Sequence, residues 1–130
     1  MNIIDLDDNI IEWKPRGKTF LFNSNASGLH GKAREILREK YPTQTILEEV
    51  SVPVRKRKTL YFDLYIPLKR LAVEVHGSQH FAFSSRFHKT KQDFIKQQRN
   101  DREKSEWCEK NGIELIILKF DEESEWENKL

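Results

Sequence analysis

A single cysteine, Cys108, is all the thiol this chain contains, so no intramolecular disulfide can form, and the lone thiol agrees with a reducing compartment. Long apolar runs are missing too. No stretch approaches the length of a membrane span, and the N-terminus lacks the basic and apolar regions of a secretory signal. The expectation is a cytoplasmic protein. There are no internal repeats, no low-complexity linker and no sign of a second domain. At 130 residues the chain forms one domain, 1–130, large enough for a core without disulfide or zinc support.

What is present is charge, unevenly spread. Residues 1–54 carry 7 Lys/Arg and 8 Asp/Glu, residues 55–104 carry 13 and 5, and residues 105–130 carry 3 and 8, giving −1, +8 and −5. A positive central segment attracts phosphate polyanions with salt-dependent and largely sequence-independent affinity. Its densest run is Arg55, Lys56, Arg57 and Lys58.

The same segment holds two carboxylates that its own strand pattern brings together. Leu60 to His80 reads as a β-hairpin with Pro67 to Arg70 as the turn. Pairing Ile66 with Leu71 sets Asp63 opposite Glu74. Strand alternation puts Tyr61, Asp63, Tyr65, Ala72, Glu74 and His76 on one face, with Leu60, Phe62, Leu64, Ile66, Leu71, Val73 and Val75 on the other. Like charges directly opposite on a sheet cost a few tenths to about 1 kcal/mol, and a divalent cation would turn that cost into a binding site. Without a cation, the pair is two solvated residues on an exposed sheet face.

Around this hairpin the chain reads as follows. Residues 1–27 form an N-terminal arm or small hairpin turning at Lys14-Pro15-Arg16-Gly17. Ser27 caps a helix over 28–41, with Leu29, Ala33, Ile36, Leu37 and Tyr41 as its apolar stripe. Ile46 to Val52 is a strand. Gly77 to Thr90 is a loop. A long helix follows over 91–111, with Phe94, Ile95, Gln98, Trp107 and Cys108 near its buried side and Gly112 as its stop. Residues 114–120 are a final strand whose continuous apolar character suggests a buried parallel neighbour, and 121–130 is an acidic tail. The order is helix, three strands with the antiparallel hairpin central, helix, strand: an α/β fold with a mixed sheet flanked by helices.

That order, together with F-D-L-Y-I at 62–66, L-A-V-E-V-H-G-S-Q-H at 71–80 and R-N-D-R-E-K-S-E-W-C-E-K-N-G-I-E-L-I-I-L at 99–118, resembles the PD-(D/E)XK nuclease superfamily. It looks most like the compact branch of very-short-patch-repair-type endonucleases and small phage and bacterial nucleases. The resemblance covers residues 28–120. It implies a restriction-endonuclease-like core, with Asp63 and Glu74 as metal carboxylates and the backbone carbonyl of Val75 as a further ligand. His76 stands where the family has its lysine, and Lys104 is a candidate to supply the missing cation. Glu35 matches an auxiliary acid. His80 matches a histidine that serves as an acid for the leaving oxygen or as a phosphate ligand. The implied cofactor is Mg²⁺, with Mn²⁺ as substitute, since a hard ion suits two carboxylates.

Further contacts come from the residues themselves. Gln79 follows the second strand, Gln97 and Asp101 lie one helical turn apart, as do Gln98 and Arg102, and Arg86, His88, Lys89 and Lys91 alternate with Phe81, Phe83 and Phe87 in a loop suited to phosphates and unpaired bases. His76, His80 and Cys108 also offer a competing zinc set. The expected function is metal-dependent endonuclease cleavage of DNA. The alternative is a non-catalytic or partner-dependent nucleic-acid-binding module on the same fold, as a homodimer or with a protein partner. Trp126 could serve an interface or the core.

Overall fold

The computed structural model describes residues 1–19, 28–86 and 88–130. The readings for Ser27 as a helix cap, for Phe20, Leu21 and Phe22, and for Phe87 lie outside the described residues.

The N-terminal hairpin forms earlier than the sequence pattern suggests. Strands β1 (Asn2–Ile4) and β2 (Ile10–Glu12) pair antiparallel, Ile3 opposite Ile11. The turn is held by Asp5, whose carboxylate accepts the N–H groups of Asp7 and Asn9, both at 2.9 Å. Side-chain acceptance of nearby backbone donors is what makes Asp a turn former. The Pro15 region instead leads into β3 (Lys18–Thr19), a short edge strand on β4. Gly17 is needed there, because a Cβ would sit 2.3 Å from the carbonyl oxygen of Glu48.

The main sheet has the order β3-β4-β5-β6-β7, with β4 Leu47–Arg55, β5 Lys58–Ile66, β6 Leu71–His76 and β7 Glu114–Lys119. All neighbours are antiparallel except β6 and β7, which run parallel. Helix α2 (Lys91–Lys110) makes the crossover between them. The fold is therefore mixed α/β with a mixed sheet, as the sequence pattern indicates.

The helices cover opposite faces. Helix α1 (Gly28–Lys40) buries Ala33, Ile36 and Leu37 against Leu64, Ile66, Leu71, Val73 and Leu118. The C-terminal segment joins this layer: Trp126, at the start of the one-turn helix α3 (Trp126–Lys129), is fully buried and its indole N–H donates to the Lys119 carbonyl at 3.0 Å. Trp126 is thus a core residue, and the 121–130 segment is packed. On the other face α2 presents Trp107 and Cys108 to Phe62, Tyr65, Ala72 and Trp13. Truncating a buried Trp such as Trp107 to Ala typically costs about 3–5 kcal/mol.

Helix α2 is bounded by local chemistry. Thr90 and Asp93 form a reciprocal capping box. At its other end Gly112 takes φ +65°, and the Ile113 N–H donates to the Cys108 carbonyl at 2.9 Å, a Schellman closure. Ile95 and Gln98, expected near the buried side, are exposed, because the core contact of α2 is concentrated in its last two turns.

Leu60 and Phe62 do not share a face with Leu64 and Ile66; they pack in the α2-side cluster. The β4–β5 ladder skips the pair Glu49–Asp63, and Glu49 has φ +52°. A left-handed residue in an extended strand breaks the pleat locally, so the faces exchange across it. Asp63 sits at that break.

Candidate functional site

The turn between β5 and β6 is a single 3₁₀ turn, Pro67–Lys69, with Arg70 left-handed at φ +47°. Its register pairs Ile66 with Leu71, Tyr65 with Ala72 and Leu64 with Val73. The next position would oppose Asp63 and Glu74, and there the backbone ladder gives way to side chains. The Asp63 N–H donates to Glu74 Oε2 at 2.8 Å, and the Val75 N–H donates to Asp63 Oδ2 at 2.8 Å. Each carboxylate holds the other strand through one oxygen. The second oxygen of each is left for other partners.

Glu74 is 2% exposed, and Lys104 from α2 is its counter-ion. The Lys104 ammonium bonds Glu74 Oε1 and also donates to the Tyr61 carbonyl at 3.0 Å. Burial, then the neighbouring Asp63 charge, push the Glu74 carboxyl up to about 8, while Lys104 pulls it down. An ammonium is thus held on a buried carboxylate beside a second carboxylate. The donor set is all oxygen, and it fits a hard divalent cation of the Mg²⁺ kind.

Beside this pair lies a second group. His76, two residues beyond Glu74 on β6, is 4% exposed, and its ring stacks on that of His80 with centroids 3.9 Å apart and planes 5° from parallel. His80 stands on a 3₁₀ turn, Ser78–His80, and its Nδ1 lies 2.8 Å from Asp101 Oδ2. Gln97, one turn before Asp101 on α2, reaches His80 Nε2 at 3.3 Å and His88 Nε2 at 2.7 Å. The Ser84 N–H donates to His88 Nδ1 at 3.1 Å.

These contacts fix the proton positions in turn. His88 accepts at Nδ1, so its Nε2–H donates to Gln97 Oε1. The Gln97 amide nitrogen therefore donates to His80 Nε2, and His80 donates from Nδ1 to the Asp101 carboxylate. His76 has no such partner. Its Nε2 is buried without a hydrogen bond among the described residues, 4.0 Å from Asp101 Oδ1. Burial first, then the electrostatic influence of His80 and Lys104, lower its pKa to about 4 against the pull of Asp101 and Asp63, so it is neutral at pH 7.

The structure therefore brings together Asp63, Glu74, Val75, His76, His80, Lys104, Gln97 and Asp101. Other expected site residues go elsewhere. Glu35 is exposed on α1, on the opposite face of the sheet, lining a groove with Arg38, Tyr41 and Gln44. The inward-facing charge of that helix is Arg34, which pairs with Glu48. Arg55 pairs with Asp7 and Glu103, and Lys58 with Glu103, so half of the basic run clamps the β4–β5 turn to α2. Lys56 and Arg57 remain exposed at the turn, as do Arg86, Lys89 and Lys91 further on. The Gln79 side chain folds back over Gly77. Cys108 is in the core beside Trp107, its thiol pushed up to about 12 by burial, so the zinc set His76, His80 and Cys108 does not assemble.

One residue is placed differently and two features were missed. His88, expected to contact phosphates from the loop, is instead buried in the polar chain, and no spacing rule links a loop residue to Gln97. Lys96, Arg99 and Arg102 are exposed at three-residue intervals on α2, a helical pattern the sequence did offer. Phe120, 38% exposed, packs at a tilt against Phe81, 43% exposed, with centroids 6.0 Å apart and planes 35° from parallel, and Phe81 lies 6.0 Å from the His76 ring with the Lys119 ammonium 5.6 Å from its centre.

The chain is similar over part of its length to viral proteins. The chain is 42% identical over 61 residues to uncharacterized protein 307L of Invertebrate iridescent virus 6, 47% of this chain and 31% of that protein. It is 40% identical over 61 residues to uncharacterized protein 033L of Invertebrate iridescent virus 3, with the same coverage. It is 40% identical over 64 residues to uncharacterized protein 094L of Frog virus 3, covering 48% and 41%. The matches span between three and just over four tenths of these relatives' own length. No family model and no solved structure matches. Among the described residues no helix is long and apolar enough to cross a membrane.

Proposed function

We propose that this chain is a metal-dependent endonuclease that hydrolyses DNA phosphodiester bonds, with Asp63 and Glu74 as ligands of Mg²⁺ and Mn²⁺ as substitute. The observation that carries this reading is the reciprocal bond of Asp63 and Glu74 to each other's strand, with a lysine ammonium held where a metal cation fits. The strand order, with antiparallel β4, β5 and β6, a crossover helix and a parallel β7, supports a restriction-endonuclease-like core.

When bound, Mg²⁺ would neutralise charge at the phosphate and activate water. The chain's own residues do the rest. Lys104 supplies the permanent cation that a neutral His76 does not. Asp101 fixes His80 with its proton on Nδ1, which leaves Nε2 as the basic atom. The 3.3 Å contact from Gln97 is long enough to yield to a water, and His80 then moves a proton between water and leaving oxygen. The buried His76 supports the His80 ring from below, so proton transfer falls to His80. Lys56, Arg57, Lys96, Arg99 and Arg102 give the backbone a basic surface, and Phe81 with Phe120 offers a stacking platform for an unpaired base.

The test is incubation with supercoiled plasmid, single-stranded DNA and a branched duplex in Mg²⁺, Mn²⁺ or EDTA, beside Asp63→Asn and Glu74→Gln. Metal-dependent cutting lost in both variants is expected. Binding without cutting under every ion would instead identify a nucleic-acid-binding module.

A further inference from the structure

We propose that His76, His80 and Asp101 form a second cation site, specific for a borderline divalent ion of the Zn²⁺ class, and that its occupancy switches the neighbouring centre off. The site itself stands on its own geometry; the effect on cleavage rests on the endonuclease reading.

Three observations point to an ion. First, a ring nitrogen from each histidine and a carboxylate oxygen of Asp101 lie within 4.8 Å of one another. Second, His76 Nε2 is buried without a hydrogen-bond partner among the described residues and lies 4.0 Å from Asp101 Oδ1. Buried polar atoms are rarely left so. A gap of 4.0 Å is too long for a hydrogen bond, while two ligands about 2.0–2.2 Å from one ion stand roughly 3.4 Å apart in a tetrahedral site. Third, the ligand types differ from those of the first site. Two imidazoles and one carboxylate suit Zn²⁺, Co²⁺ or Ni²⁺, whereas Asp63 and Glu74 offer only oxygen. Three protein ligands with an open position is the arrangement of an accessible zinc site.

The parallel stack defines what must move. Rings 3.9 Å apart and 5° from parallel carry their lone pairs side by side, so convergence on one ion requires the His80 ring to turn. His76 is walled in; His80 stands on a short turn and is the mobile partner. Its movement has a fixed consequence for Gln97. If Nε2 takes the ion, the bond from the Gln97 amide is lost. If Nδ1 takes it, the proton passes to Nε2 and Gln97 must offer its oxygen, which releases His88. Either way the imidazole that would carry protons is tied up, and the polar chain to His88 and Ser84 is broken.

The experiment is titration of the full chain with Co²⁺, followed by visible ligand-field absorption, with Zn²⁺ and Mg²⁺ as competitors. A single Co²⁺ equivalent is expected, displaced by Zn²⁺ and untouched by Mg²⁺. His80→Gln and Asp101→Asn should each weaken it by at least the roughly 10–100-fold that even an outer-shell partner commands, while Asp63→Asn leaves it unchanged. Circular dichroism of each variant establishes that it is folded. Absence of a Co²⁺ spectrum, or a spectrum lost in Asp63→Asn and kept in His80→Gln, overturns the site. In the cleavage arm, Zn²⁺ added to Mg²⁺-loaded enzyme should inhibit, and insensitivity to Zn²⁺ at concentrations that fill the Co²⁺ site overturns the switch. Failure of the nuclease reading looks different: no cutting with any ion, and an intact Co²⁺ spectrum.

Discussion

Two buried glutamates, one on each face of the same sheet, are handled in opposite ways. Glu48 on β4 faces α1, and its Oε1 collects Arg34 through both Nε, at 2.9 Å, and Nη2, with His30 Nε2 at 3.0 Å. Glu74 on β6 faces α2 and has one lysine, one backbone N–H and a second carboxylate beside it. An Arg fork on a carboxylate is a finished bond, planar and permanently charged. A lysine on one of two adjacent carboxylates is a compact ion held in a position that another cation could take. The buried charge held by a guanidinium and an imidazole reads as structure, and the one held by a single lysine beside a second carboxylate reads as a site.

The strongest way to break that comparison is to neutralise each side in turn. Asp63→Asn keeps shape and removes the charge, and is expected to take plasmid cleavage to background with the melting temperature close to wild type. Cleavage that survives Asp63→Asn removes the metal centre from this pair. Arg34→Met does the reverse. Breaking a buried ion pair by removing one partner typically costs about 3–5 kcal/mol, so urea unfolding should show a loss of that order, while activity per folded molecule is retained and no divalent ion restores the midpoint.

How much of this was legible before the fold was known depends on the element. The β5–β6 register follows from Pro67 at the turn and the alternation on both sides, and it held. The exchange of faces at Asp63 did not show, because it depends on Glu49 adopting a left-handed backbone that nothing in its side chain favours. Glu35 illustrates a different error. The stripe of Ala33, Ile36 and Leu37 flanks Arg34, one step of about 100° from Ala33 and less from Leu37, and helical geometry alone would have preferred Arg34 as the inward polar residue. The Asp5–Asn9 turn had its signal in Asp-x-Asp-Asp-Asn, which outranks Lys14-Pro15 as a hairpin former here. By contrast, the contacts of His88 with Gln97 and Ser84 come from a loop, where no periodicity connects residue to face.

A middle-sized effect sharpens the contrast between the two counter-ions. Lys104→Met keeps the stem and removes the ammonium, leaving Glu74 with the Asp63 N–H. The expected loss is about 1–3 kcal/mol, smaller than at Arg34, because the raised Glu74 carboxyl can escape by taking up a proton once the ammonium is gone. Mg²⁺ or Mn²⁺ should recover a larger part of the melting temperature in this variant than in wild type, where the ion must displace the lysine. Equal metal-induced shifts in the two proteins would mean that Lys104 does not stand in the cation's place.

The smallest effect is a slope with pH. In the metal-free protein the Glu74 carboxyl is raised from its ordinary 4.5 to about 8, so between those values the folded state binds more proton than the unfolded chain, and stability is lost as pH rises. His76 acts in the other sense. Lowered from 6.5 to about 4, it makes stability fall as pH drops through that interval. The two oppose each other between 4.5 and 6.5, which leaves 6.5 to 8 as the window where Glu74 acts alone of the pair. There the metal-free protein should lose at most about 1.4 kcal/mol per pH unit from this group. Glu74→Gln, which cannot ionise, should flatten the slope, and saturating Mg²⁺ should flatten it too, since the ion holds the deprotonated form that the unfolded chain also has in this window. A Glu74→Gln variant with the wild-type slope would show that some other group titrates in this window, and the contrast with Glu48 would then rest on geometry alone.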